Sequence, residues 1–332
     1  MINKNTLIEG YKDKKVLVTG CAGFIGSHIV DELLFLGSSV IGIDDFSNGY
    51  HRNLEKAKKS PKFKLNICSV SDYNSIKEIF SQESFDFIFH TAALNLLRSL
   101  ENPIGDCEIN ALGTIYLLRE LAKANASSKF IFSSTGSVYG IPVSTNQDET
   151  HQMSPTSQYG ASKLAANYFV KFWNEYHGLE TISLRYYNVY GPRQSYDSKG
   201  GVVGLFISKL LQGKDLYVEG SGNQERCFTY VEDVVRANLL AGLSSSFKGE
   251  SYNIASDEII TIKSLAEKLN SMFGDKSNLV SKPRRVGDID IFRPSIDKAR
   301  IELDYVPAIN LNVGLEKTIK WIKHVEEENK SN

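Results

Sequence analysis

Short apolar runs rich in Val, Ile and Phe recur through the first half of the chain, separated by stretches whose apolar residues return every three to four positions. The runs predict strands at Lys15–Val18, Ser39–Ile43, Phe63–Asn66, Phe85–His90, Lys129–Ser133 and Glu180–Tyr186. The longer periodicity predicts helices over Ser27–Leu36, Tyr73–Ser81, Thr114–Asn125 and Ser157–Tyr176. Strands alternating with helices in this way make a doubly wound parallel sheet covered on both faces, with its ligand site at the carboxyl ends of the strands.

Past about Asn188 the pattern changes. Glycines crowd the chain at positions 191, 200, 201, 204, 220 and 222, and strands shorten to isolated runs such as Asp215–Glu219 and Tyr252–Ile254. Ile262–Phe273 and Val313–Glu327 read as amphipathic helices. No Pro/Ser-rich linker intervenes. The expected organisation is a larger unit over residues 1–187 and a smaller C-terminal α/β lobe over 188–332, interleaved with the first.

Composition narrows the function. A net charge of −1 gives no basic patch for nucleic acid or a membrane surface. The first residues lack a signal-peptide core, and no apolar run is long enough to span a bilayer. The four cysteines, Cys21, Cys68, Cys107 and Cys227, are scattered without a CxxC pair or clustered histidines. That pattern predicts neither a metal site nor a disulfide framework and suits the reducing cytoplasm.

The first strand runs into Gly20, Gly23 and Gly26, with a helix opening near Phe24. Glycines there permit a tight turn and close backbone approach to a pyrophosphate, and the helix amino terminus supplies free N–H groups through Phe24 and Ile25. The spacing is GxxGxxG, which in isolation also fits an ordinary strand–helix turn. The second strand, however, ends in Asp44 about twenty residues downstream, where a carboxylate accepts hydrogen bonds from an adenosine ribose and repels a 2′-phosphate. NAD, rather than NADP, is the expected cofactor of this Rossmann-like half. Asp45 also reads as a solvated loop acid.

Tyr159 and Lys163 fall four residues apart on one face of the Ser157–Tyr176 helix. An ammonium beside a phenol favours the phenolate, which can take a proton from a substrate hydroxyl. Ser133 and Thr135 end the fifth strand and place hydroxyls at the expected ligand edge. A YxxxK pair also arises by chance, and a Ser/Thr-rich loop needs no function; their coincidence with the glycine turn is what points to hydride chemistry.

With these motifs in order, the chain resembles the extended short-chain dehydrogenase/reductase family, in particular its nucleotide-sugar epimerases of the UDP-glucose 4-epimerase type. The resemblance covers nearly the whole length. It rests on residues 18–27, His90–Ala93, Asn110–Thr114, Ser133–Gly140, Tyr159–Lys163, Arg185–Arg193, Gln224–Asp233 and Arg285–Asp288. It implies Thr135, Tyr159 and Lys163 as the catalytic trio, Ala92 and Ala93 as lining for the cofactor, and Asn110 as support for the dinucleotide site. Asn188, Arg226 and Arg285 are implied to hold the diphosphate and ribose of a UDP-sugar; outside the resemblance the two arginines read as surface charges. The family is further expected to form a homodimer through helices near Leu100–Asn125 and Ser157–Tyr176.

Departures from the family pattern matter as well. The acid that often follows the third strand near adenine aligns with Ser69 and Val70, and Cys227 replaces a usual aspartate. Related dehydratases carry Thr-Asp-Glu where this chain has Thr135, Gly136 and Ser137, which disfavours dehydration and decarboxylation. Phe292, seven residues after Arg285, implies exclusion of a 2-acetamido group, the alternative being a core phenylalanine. The resulting expectation is NAD-dependent 4-epimerisation of UDP-glucose/UDP-galactose through a 4-keto sugar. Epimerases of UDP-N-acetylhexosamine or UDP-uronate, a nucleotide-sugar reductase or dehydratase, and a non-catalytic NAD sensor are the rivals.

Overall fold

The computed structural model describes residues 4–331 except 125–126, 145, 198–199 and 285–289. Six strands of the first half form as the pattern predicts: β1 (Lys15–Thr19), β2 (Ser39–Ile43), β3 (Phe63–Asn66), β4 (Phe87–His90), β5 (Lys129–Thr135) and β6 (Glu180–Tyr186). A seventh strand, Glu250–Ile254, completes an all-parallel sheet in the order seventh–β6–β5–β4–β1–β2–β3. The run at Tyr252–Ile254, read from sequence as an isolated element of the second lobe, is therefore the edge of the main sheet. A run of three core residues carries no information about its pairing partner, which is why the pattern missed it.

Each inner strand is buried on both faces. In β1, Val16 and Val18 pack on one side with Ile29, Leu33, Leu239 and Leu240 from helices Phe24–Phe35 and Val231–Leu243. Leu17 packs on the other with Ile76, Leu117, Leu121 and Val170 from helices Tyr73–Gln82, Gly113–Lys123 and Gln158–His177. A separate apolar cluster, including Tyr190, Phe206, Leu216, Leu265 and Leu315, fills the second lobe. That lobe adds three two-stranded pairs, Val189–Tyr190 with Thr229–Tyr230, Glu225–Cys227 with Ile259–Thr261, and Leu216–Glu219 with Leu279–Lys282.

The chain leaves β1 toward β2 and β3, then returns to place β4 on the other side of β1. Loops at the carboxyl ends of these two strands diverge there, opening a crevice at the topological switch point. Among the described residues, no helix is long and apolar enough to cross a membrane.

Candidate active site

The crevice is lined by four successive loops. Gly20, Gly23, Phe24, Ile25 and Gly26 follow β1, Asp44 and Asp45 follow β2, Ser69 and Val70 follow β3, and Ala92 and Ala93 follow β4. All of these but Asp45, ten residues, were expected from sequence to line the cofactor, and they meet in one cleft. Thr91, from the His90–Ala93 motif, joins them, as do Cys68 and the turn Ser47–Gly49, of which the motifs gave no sign.

Local chemistry explains the shape. Gly20 adopts φ +66°, and a Cβ there would lie 2.8 Å from the Ala92 backbone. A Cβ on Gly26 would lie 2.1 Å from the Gly20 carbonyl oxygen and 2.7 Å from Thr91 Oγ1. Helix Phe24–Phe35 begins at Gly23 with no side-chain cap and no acid in its first turn. An uncapped helix start beside a close backbone turn is the environment a pyrophosphate needs, so the cleft fits a dinucleotide.

Asp44 is 7% exposed, and it organises the cleft as well as lining it. Its two carboxylate oxygens accept the Ala22 and Phe46 N–H groups, each at 2.8 Å. Burial pushes its carboxyl up while those backbone bonds oppose the rise. Asn110 lies behind the cleft, fully buried in a π-helical turn over Cys107–Leu112. Its Oδ1 accepts the Leu94 N–H at 3.1 Å, and its Nδ2 donates to Asp106 Oδ1 at 2.6 Å and Ser162 Oγ at 3.1 Å. It ties the loop after β4 to the helix that bears Tyr159.

The proposed reacting groups sit at the carboxyl end of β5, beyond the cleft. Ser157 caps helix Gln158–His177 by accepting the Gly160 N–H, which fixes the first turn carrying Tyr159 and Lys163. Thr135 Oγ1 accepts the Ser137 N–H at 3.1 Å and donates to Ser137 Oγ at 3.2 Å, and its side chain beside Tyr159 opposes the rise of the phenol. Burial dominates nonetheless, pushing the Tyr159 phenol up to about 12. Lys163 is 1% exposed, its Nζ 4.3 Å from the centre of the Phe132 ring, and burial brings its ammonium down to about 7. Ser133 Oγ pairs with the Tyr186 hydroxyl at 3.0 Å, which in turn donates to Asn238.

On the second lobe, exposed Asn188 takes φ +38° two residues after β6 and donates to the Cys227 carbonyl at 3.0 Å. Arg226 is half-buried on the Glu225–Cys227 strand, with Nη1 on the Glu225 carbonyl. Phe292 is 9% exposed within the main core, its ring 4.8 Å from that of Tyr187. Bidentate pairing of Arg293 with Glu225, at 2.6 and 2.7 Å, holds the Phe292 segment against the strand of Arg226. Arg285 lies outside the described residues. No group of three or more His, Cys, Asp or Glu is placed to hold a metal among the described residues.

Sequence reasoning missed Asp106 and His90. His90 is fully buried, with Nδ1 2.7 Å from Thr19 Oγ1 and Nε2 2.9 Å from Thr114 Oγ1, and burial keeps it neutral, well below its ordinary range. Its presence in the His90–Ala93 motif was the available signal.

Comparison with known proteins agrees with this architecture. UDP-glucose 4-epimerase of Mycolicibacterium smegmatis is 32% identical over 311 residues, covering 93% of this chain and 99% of its own. UDP-N-acetyl-alpha-D-glucosaminuronate decarboxylase of Bacillus cytotoxicus is 33% identical, covering 94% of this chain and 99% of its own. The crystal structure of UDP-glucose 4-epimerase with UDP-glucose from Thermotoga maritima superimposes with a TM-score of 0.88 at 35% identity, over 94% of this chain and 99% of that one. Residues 16–255, well over half of the chain, match the NAD dependent epimerase/dehydratase family, and to that family the chain belongs.

Proposed function

We propose that this protein interconverts UDP-glucose and UDP-galactose by NAD-dependent inversion at C4. The observation that carries the reading is the juxtaposition of Thr135, Tyr159 and Lys163 at the carboxyl end of β5, on a sheet whose switch-point cleft fits a dinucleotide. Gly20, Gly23, Phe24, Ile25 and Gly26 hold the pyrophosphate, Asp44 the adenosine ribose, Ser69 and Val70 the adenine side, and Ala92, Ala93, Ser133, Tyr159 and Lys163 the nicotinamide side. Bound NAD supplies a reversible acceptor for the C4 hydride and a positive charge near the phenol.

The chain's own residues handle the proton. Tyr159 takes it from the sugar 4-hydroxyl while Thr135 holds the same oxygen, and Tyr159 returns it after the 4-keto sugar has presented its other face. Because burial and the Asp106 charge push the phenol further up, to about 12, proton removal waits for the nearby positive charges of the loaded site. Asn188, Arg226 and Arg285 anchor the nucleotide, leaving the sugar free to turn.

Water elimination is disfavoured on two grounds. Gly136 and Ser137 offer no acid, and a Cβ at position 136 would lie 2.6 Å from the Tyr187 ring, so the space for a larger side chain is already filled. Phe292 lies buried against that same Tyr187 ring, as a core phenylalanine does, so the preference for a substrate without a 2-acetamido group rests on the family resemblance.

Proton NMR of the NAD-loaded protein with equal UDP-galactose and UDP-N-acetylgalactosamine tests the reading. Gluco-configured signals from UDP-galactose alone are expected. Conversion of both sugars removes the size-filter role of Phe292, and conversion of neither removes the substrate assignment. Tyr159→Phe should lower turnover at least about 100-fold while NAD stays bound; wild-type turnover in that variant would overturn the mechanism.

A further inference from the structure

The loops after β2 and β4 flank the glycine turn that follows β1, because the sheet runs β4–β1–β2 at this point. The loop after β2 tightens to a turn at Ser47–Gly49 that lines the cleft. Its far end is pinned to the glycine turn. Tyr50 N–H and Asn53 Nδ2 both donate to the Ala22 carbonyl, at 3.1 and 2.8 Å. The approach is close, since a Cβ on Gly49 would lie 2.8 Å from both Ala22 Cβ and Asp44 Oδ1. Within the turn, Asp45 Oδ1 accepts the Ser47 N–H at 2.9 Å and the Ser47 hydroxyl at 2.6 Å. Those bonds use the donors of Ser47 and leave its carbonyl for a partner outside the turn.

That partner is Arg98. Helix Leu96–Glu101 follows β4, and Asn95 caps it by accepting the Arg98 N–H at 3.0 Å. Its root is firm, since Asn110 Oδ1 accepts the Leu94 N–H and Ser99 is fully buried. From there Arg98 Nη1 donates to the Ser47 carbonyl at 3.0 Å, across 51 residues of sequence. The guanidinium is half-buried, and its Nε is buried with no hydrogen-bond partner among the described residues. A bond that joins these two loops bridges the glycine turn between them, where the cleft fits a pyrophosphate.

We propose that Arg98 is a latch over the dinucleotide site: it ties the loop after β4 to the turn after β2, and the tie opens for NAD to enter or leave. The redox-neutral cycle proposed above gives the latch its purpose, since a cofactor regenerated in place has no need to exchange. A guanidinium–carbonyl bond suits the role. Its charge strengthens the hold, and its exposure lets water take the place of either partner when the loops part. A latch also differs in kinetics from a ligand of the diphosphate. It slows entry and exit together, whereas a guanidinium that binds phosphate speeds entry by its charge and slows exit.

The test is stopped-flow fluorescence of the full chain with 1,N6-etheno-NAD, mixed in for uptake and chased with unlabelled NAD for release. Arg98→Met keeps the apolar stem and removes both the donor and the charge. Release from this variant should be about tenfold faster than from wild type, with uptake faster as well. Release at the wild-type rate would overturn the proposal. Faster release without faster uptake would overturn it too, by making Arg98 a ligand of the diphosphate. A second arm needs no cofactor. Hydrogen exchange of the peptide spanning residues 46–50, read by mass spectrometry, should quicken in cofactor-free Arg98→Met. Unchanged exchange there would show that Arg98 does not hold the turn, and would sink the latch. Since neither arm reads turnover, a latch without epimerisation would count against the substrate assignment alone, and epimerisation without a latch against Arg98 alone.

Discussion

Over the Phe132 ring, the Lys163 ammonium has lost hydration that an exposed lysine keeps, and its proton leaves at about 7 instead of near the ordinary 10.5. Between these values the unfolded chain binds the proton and the folded chain does not. Stability therefore rises with pH across this window, and the cost of burying the charge is full below it. Urea unfolding of the cofactor-free protein should find the stability difference from Lys163→Met moving toward wild type between pH 7 and 10, by about 1–3 kcal/mol. A difference that stays flat over that range would rule out a buried, titrating Lys163. Gly26→Ala tests the cleft in the same way. Its Cβ meets the Gly20 carbonyl oxygen at 2.1 Å, so calorimetry should find NAD bound at least about tenfold more weakly and thermal unfolding should report a loss of about 1–3 kcal/mol. Gly20, Gly23 and Gly26 were legible in the chain because a turn that tight admits nothing larger. Asp106 was not, because its setting comes from Ser162, reached through Asn110, which is distant in sequence and brought near only by packing.

At the scale of elements, the legible parts were those with long periodic patterns or a chemical boundary. Ser157 marks the start of helix Gln158–His177 by capping it, and Asp72 caps helix Tyr73–Gln82 through Asn74 and Ser75. The π-helical turn at Cys107–Leu112 carries no such mark, since it is set by Asn110 reaching both Leu94 and Ser162. Two-residue strands such as Val189–Tyr190 are too short for any alternation to declare itself. Between elements, Arg193 fastens the loop after them to helix Phe24–Phe35 through Asp31 at 2.6 Å, with little of either side chain exposed. It does so at φ +70°, a strained region for a residue with a Cβ. Arg193→Ala should cost about 1–3 kcal/mol in urea unfolding. Arg193→Gly should cost about 0.5–1 kcal/mol less, because it relieves the backbone while losing the same pair. Equal losses would place the whole effect in the ion pair.

For the whole molecule, an apolar surface remains on one side of the sheet. Leu100, Ile104 and Tyr176 are 66%, 72% and 79% exposed, and Tyr168, Phe172 and Tyr176 form a row of rings along helix Gln158–His177. Exposed rings and aliphatics in such number mark a protein interface, and a homodimer across these helices is the expected occupant. Sedimentation should give a dimer for the wild type and a monomer for Ile104→Glu combined with Phe172→Glu; a wild-type monomer at micromolar concentration would refute the pairing.

The seventh strand also imposes an order in time. The edge of β6 is closed by Glu250–Ile254, which the ribosome makes only after the first part of the second lobe. At about 5–20 residues per second, the roughly 60 residues between them take about 3–12 s to synthesise. Throughout that interval β6 presents unpaired backbone and the buried-to-be Ile182 and Leu184 to the cell, the kind of edge on which nascent chains aggregate. A nascent chain paused before Ile254 is thus the form of this protein most in need of a chaperone, and slow codons between β6 and the seventh strand would lower its yield without altering one residue of the finished enzyme.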